Sequence, residues 1–264
     1  AADGLIAPED AEDTALLAAA VYYRGLSVAR NLANLLMPEE SAETPDARMA
    51  LVEQNWRTGL TVNRGFMSAG RDRADGPVNA LLVLYGMVSE AEYGQVNAAV
   101  TDSAGTDLSR ELYMLEAFCL TGRTDLAMER MLDRYGFLLS DPQDTAEDGQ
   151  EAGALYDSAP AYILVSYAAG IRPAAPGYAA VTFAPQDVVD TMVAVARTVR
   201  GTAISEVQRE GRTAVLTVTS PADMGYVLFP ETWGEDVHAE GGLYETEGRL
   251  VRLKEASVYT FRVQ

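Results

Sequence analysis

The chain has 264 residues and a mass of 28.4 kDa, 48% of it hydrophobic and 22% charged, enough apolar material for one large packed domain or two modest ones. Thirty-nine Asp and Glu against 20 Lys and Arg leave a net charge of -19, which repels phosphate backbones and anionic lipid, so no nucleic acid and no membrane surface is expected as a partner. The longest apolar runs, such as Ala15 to Tyr23, fall far short of a membrane span, and a soluble protein is expected. The first residues do not read as a signal peptide, and the single cysteine, Cys119, permits no internal disulfide, so the compartment, cytoplasmic or secreted, stays open.

From about residue 10 to 171 the pattern is helical. Asp10 or Asp13 would cap the first helix, Pro38 lies beyond its end, and the stripe Leu17, Val21, Val28, Leu32, Leu35 at spacings of three and four predicts its buried face. Further helices are predicted at about 45–57, 76–87, 89–101, 107–121, 124–135 and 158–169, separated by short turns. Ser89 with Glu92 fits a capping box, Thr124 would cap the helix that starts at Asp125, and Cys119 falls on an apolar face with Leu108, Leu112 and Leu115, where a buried thiol is expected. Seven helices with brief links predict antiparallel hairpins, the grammar of bundles, toroids and solenoids alike.

After Gly170 the grammar changes. Ile171 to Gly177, with Pro173 and Pro176, is a connector that cannot continue a helix, and a second domain, 172–264, is expected to follow the helical domain 1–171. Val181 and Phe183 alternate, as do Ala214, Leu216, Val218 and then Tyr259, Phe261, Val263, with turns marked by Glu210-Gly211, Glu240-Gly241-Gly242 and Glu247-Gly248. Six to eight short strands with turn signals every 8 to 12 residues predict an antiparallel β-sandwich, and the fold class is α+β.

The run Pro160 to Tyr178, then Val181 to Pro185, Arg197 to Ile204, Leu216 to Pro221 and Val227 to Pro230, in that order, resembles the end of bacterial α-L-rhamnosidases. Asp75 to Gly86 and Thr106 to Ala127 extend the resemblance upstream, to roughly residues 10 to 264. It implies the later part of an (α/α)6 toroid followed by a β-sandwich. Seven helices are too few for a ring of twelve, so the remainder is expected from a missing upstream segment or a partner subunit.

The resemblance also implies chemistry. Such enzymes invert, placing an acid on one side of the glycosidic bond and a water-activating base on the other, with the carboxyls about 6.5 to 9.5 Å apart. No counterpart of the family's acid motif is found here. Glu147, following Thr145 in the acidic loop 140–151, is the best match to the general base, although the family's preceding Trp is Ala146 and its His-containing approach to the last helix reads Ala154 to Ser158; a solvated carboxylate beside Asp141, Asp144, Asp148 and Glu151 is the competing reading. Tyr156 and Trp56 are the candidate sugar-binding residues, and Trp233, Tyr22 and Tyr23 are further aromatics suited to a pyranose face; core packing is the competing reading for Trp56 and Tyr22.

The remaining motifs point to no other chemistry. His238 is the only histidine and lies far in sequence from Cys119, so a surface role is expected; the acidic loop lacks the register and glycine turn of an EF-hand; no phosphate loop, CxxC pair or dinucleotide fingerprint occurs. No metal and no cofactor is expected. Three readings stay open: the C-terminal portion of a rhamnosidase-like inverting glycoside hydrolase, inactive as this chain alone; a relative that binds a rhamnoside-type carbohydrate without cleaving it; and a structural module whose exposed apolar helix faces drive homo-oligomerisation.

Overall fold

The structure is a computed structural model that describes residues 13–36, 43–103, 108–136, 158–211, 213–234 and 236–264. By its internal contacts the chain divides into two units, residues 1–130 and 131–264.

The first unit opens with α1 (Thr14–Leu36) and α2 (Glu43–Asn55). Asp13 caps α1: its Oδ1 accepts from the Leu16 N–H at 3.2 Å, while its Oδ2 accepts from the Ser68 N–H at 2.6 Å. That double duty fixes the start of α1 against the short hairpin of β1 (Leu60–Val62) and β2 (Phe66–Ser68), an element the sequence periodicity does not announce. At the hairpin tip Gly65 has φ +130°, and a Cβ there would lie 2.6 Å from the methyl groups of Ala74 and Ala99, so only glycine lets the turn tuck so close.

Next comes α3 (Gly76–Leu84), with Asp75 as N-cap, its Oδ1 accepting from the Val78 N–H at 3.2 Å, and Pro77 in the first turn. Every residue from Gly76 to Val83 is buried, because the sequence GPVNALLV is apolar on all sides but for Asn79, whose amide is hydrogen-bonded, and α3 packs on α1, α4 and α5. A 3-10 turn, Glu90–Glu92, leads into α4 (Tyr93–Asp102); α5 (Leu108–Leu120) and α6 (Thr124–Tyr135) follow, the last crossing the division between the units.

Each helix predicted from periodicity is present, but three local expectations change. The stripe Leu17, Val21, Val28, Leu32, Leu35 does not form the buried face of α1. Leu16, Ala20, Tyr23 and Leu26 do, while Val21, Leu32 and Leu35 are 54%, 50% and 75% exposed. The two Asp13 contacts set the rotation of the first turn, and the Tyr23 hydroxyl, donating to Glu53 of α2 at 2.7 Å, holds it further along. The Thr124 hydroxyl makes no hydrogen bond and so caps nothing. Cys119 is half-buried, one step off the α5 face formed by Met114, Leu115 and Phe118.

The second unit contains α7 (Ala159–Ile163), which runs into a π-helical turn, Leu164–Ala168, and then the strands. The Pro/Gly connector forms β3 (Ile171–Pro173), an edge strand paired to β4 (Ala180–Phe183), a position where Pro173 forfeits no ladder bond to a further strand. The others are β5 (Thr191–Thr198), β6 (Gly201–Glu210), β7 (Thr213–Thr219), β8 (Met224–Leu228), β9 (Val237–Gly241), β10 (Tyr244–Glu247), β11 (Leu250–Leu253) and β12 (Val258–Val263).

They build two five-stranded sheets, ordered β10-β11-β8-β4-β3 and β5-β6-β7-β12-β9. The second is antiparallel throughout, but β4 and β8 pair in parallel, so the first is mixed rather than purely antiparallel. The alternating residues read from the sequence all point inward: Val181 and Phe183 from one sheet join Leu216, Val218, Tyr259, Phe261 and Val263 from the other in one core. Both layers contribute to that cluster, as a period of two requires when each sheet buries one face. Gly211 (φ +62°) and Gly248 (φ +60°) supply the left-handed turn residues of the hairpins marked in the sequence.

Candidate functional site

Of the residues singled out for carbohydrate chemistry, Glu147 and Tyr156 lie outside the described residues, as does the acidic loop 140–151. Trp56 is described, and the site is built from it. It follows the last turn of α2, its N–H bonded to the Val52 carbonyl at 2.8 Å, and it is 8% exposed. The Phe66 ring of β2 lies 5.4 Å away at a tilt of 53°, and the Arg57 guanidinium sits 4.4 Å from its centre. Trp56 therefore packs as core while its rim borders two clefts, within the first unit.

One cleft, of about 360 Å³, runs between α1 and α2 and is lined by Ala19, Tyr22, Arg48, Leu51, Val52, Asn55 and Trp56. It brings Tyr22, 49% exposed, together with Trp56, two aromatics 34 positions apart in sequence. Rings flanked by an arginine and an amide offer an apolar wall with hydrogen-bonding groups at its edge.

The second cleft, of about 450 Å³, is more polar, lined by Glu53, Trp56, Arg57, Gly86, Met87, Val88, Ser89 and Glu92. Its wall is one network. Glu92 accepts from the Ser89 N–H at 2.8 Å, the Ser89 hydroxyl at 2.9 Å and Arg57 at 3.0 Å, and the Arg57 guanidinium also reaches the Met87 carbonyl at 3.4 Å. The predicted capping box is thus present, with the Ser89 hydroxyl donating to Glu92. Partial burial pushes the Glu92 carboxyl up, but the bonds from Ser89 and Arg57 outweigh it and hold it below the usual carboxylate range. Glu53 receives the Tyr23 hydroxyl, and burial together with that bond pushes the phenol up to about 12.

Chemically, this wall presents an ionised carboxylate and a fixed guanidinium, groups that suit the recognition of hydroxyls. Sequence reading marked Glu92 as a helix cap and passed over Arg57 and Glu53; the available signal was the adjacency of Trp56 and Arg57, because a guanidinium beside an indole stacks on it.

Trp233 and His238 belong to the second unit. Trp233 is 1% exposed in the core between the sheets, and His238 is exposed on β9 opposite Arg262 of β12. Among the described residues no cluster of three or more His, Cys, Asp or Glu side chains suited to a metal is present, and no helix is long and apolar enough to cross a membrane.

Helical hairpins followed by two five-stranded sheets over a shared core define an α+β fold, and that fold is similar to part of the α-L-rhamnosidases. No protein-family model and no curated protein sequence matches the chain. The Streptomyces avermitilis α-L-rhamnosidase complexed with L-rhamnose is similar over 94% of this chain and 27% of its own, at TM-score 0.71 and 17% identity. The α-L-rhamnosidase from Dictyoglumus thermophilum is similar over 92% and 31%, at TM-score 0.72 and 15% identity, and a GH78 family rhamnosidase of Bacillus sp. GL1 over 80% and 26%, at 0.59 and 17%. The chain spans between a quarter and a third of the length of these enzymes.

Proposed function

We propose that this chain is the carbohydrate-handling C-terminal portion of a rhamnosidase-like inverting glycoside hydrolase, with a domain division at residues 171/172. In this reading Glu147 is the general base, Tyr156 binds the sugar and Trp56 shapes the wall of its cleft. The general acid comes from another polypeptide segment, so the chain by itself does not hydrolyse glycosides. The observation that carries the reading is fold similarity across 94% of the chain to an enzyme whose crystals hold L-rhamnose. The resemblance of the loop around Glu147 supports the base.

The non-catalytic alternative, a binder of rhamnoside-type glycans, draws on one observation of its own: the Trp56 clefts present hydrogen-bonding groups beside aromatic rims. Calorimetry with L-rhamnose and hydrolysis of an aryl α-L-rhamnoside test both. Measurable sugar binding without turnover is the expected result. Turnover by this chain alone overturns the external acid, and if Glu147→Gln leaves that turnover unchanged, Glu147 is not the base. No binding and no turnover overturns the carbohydrate reading.

A further inference from the structure

The face that α1 turns to solvent is apolar and ordered. Ala18, Val21, Gly25, Val28, Leu32 and Leu35 alternate at spacings of three and four, the a and d positions of a heptad, and all six are exposed. The larger four are 54%, 40%, 50% and 75% exposed. A strict 3.5-residue seam is the pattern of a helix that packs along another helix, not of one turned to water.

We propose that this seam is a self-association surface on which a second copy of the chain lays its own α1 in antiparallel orientation. The seam is complementary to itself in that orientation. Aligning Gly25 with Val28 of the second copy sets Ala18 opposite Leu35 and Val21 opposite Leu32, so each layer pairs a smaller residue with a larger one, the alternation that fills the space between two helices. At Gly25 nothing lies within 4 Å of where a Cβ would sit, so the approach there is open.

Charge favours the same occupant. The chain carries -19 overall, yet α1 has no Asp or Glu and only two charged residues, Arg24 and Arg30. Arg30 lies 3.7 Å from Asp46 of α2, and Arg24, flanking the seam, falls opposite Asn31 of the second copy in the same register. Two strongly acidic molecules thus meet on a face where neither presents a carboxylate, and no like charges are opposed. The seam is about 26 Å long and, at helix width, about 300 Å² in projected footprint. That is small beside the roughly 800 Å² per partner of a standard interface, so the association is expected to be weak and transient, populated only as protein concentration rises.

Sedimentation velocity on the 264-residue chain from about 1 to 100 µM tests the proposal. The expected result is a concentration-dependent species of twice the 28.4 kDa chain mass. Leu32→Glu should weaken it at least tenfold, with unchanged circular dichroism because the site is exposed. Val21→Lys combined with Leu32→Glu should restore it, since the register places each Lys opposite a Glu. Val195→Glu, on the exposed face of β5, should leave it unchanged. A single monomeric mass throughout, or a dimer indifferent to Leu32→Glu, overturns the proposal. A dimer lost in Leu32→Glu and not regained in the double variant overturns the antiparallel register.

Discussion

The Glu111 carboxylate, fully buried on α5, accepts two hydrogen bonds from the Arg130 guanidinium of α6, at 2.6 and 2.9 Å, while the same guanidinium reaches the carbonyls of Val100 and Ser103 at the end of α4. One forked cation thereby joins three helices, a geometry that a lysine ammonium would not reproduce.

Arg130→Ala removes this cation from beside a carboxylate that has no access to water. The expected destabilisation is about 3 to 5 kcal/mol. Arg130→Lys should recover only a minor part of it. Urea unfolding followed by circular dichroism measures both variants, and a cost below about 1 kcal/mol would contradict the assignment.

Asn79, also fully buried, exchanges two hydrogen bonds with the Phe66 backbone: its Oδ1 accepts from the Phe66 N–H at 2.7 Å and its Nδ2 donates to the Phe66 carbonyl at 2.8 Å. It takes the place of a missing strand beside β2. Asn79→Ala leaves both backbone groups of Phe66 buried without that partner, at an expected cost of about 3 kcal/mol. Asn79→Asp, which keeps the shape but loses the amide donor, should be destabilising at neutral pH and milder in acid, where the protonated carboxyl donates again. The pH dependence of the urea midpoint reads the difference.

Tyr23 links the folded state to alkaline pH. Its phenol is raised from 10.0 to about 12 by burial and by its bond to Glu53. Between those values the unfolded chain has released the proton and the folded chain has not, so stability present below pH 10 declines as pH rises toward 12. Tyr23→Phe should be less stable at pH 8 and should show a shallower decline over that alkaline window, measured by denaturant midpoints from pH 8 to 12.

Trp56→Ala should cost about 3 to 5 kcal/mol, since it empties a core site between Phe66 and the Arg57 guanidinium. Trp56→Phe keeps an aromatic ring and should cost less than half of that. If L-rhamnose binding falls in Trp56→Phe while the melting temperature stays within a few degrees of the parent, the ring rim contributes to the cleft as well as to the core.

Much of the architecture was legible in the sequence because it is local. Helices appear where apolar residues recur at three and four, Ser89 and Glu92 meet because they are three apart at a helix start, and Leu216, Val218, Tyr259 and Phe261 point inward because strands alternate. The candidate site was less so. Glu147 rests on resemblance and Tyr156 on residue type, and both lie outside the described residues; Trp56 is also singled out by residue type alone, without the Arg57–Glu92 network beside it.

What the tertiary structure decided is what depends on partners distant in the chain. Periodicity gives α1 an apolar stripe, but Asp13 bonded to Ser68, 55 residues away, and Tyr23 bonded to Glu53 turned the helix so that Leu16, Ala20, Tyr23 and Leu26 were buried and the stripe was left outside. The β1–β2 hairpin is held by Asn79 from the following helix, and the parallel pairing of β4 with β8 joins strands separated by three others in sequence. Composition and spacing determine which surfaces are able to bury. Which of them does so is set by the polar contacts that must be satisfied at the same time, and those contacts exist only once the chain has closed on itself.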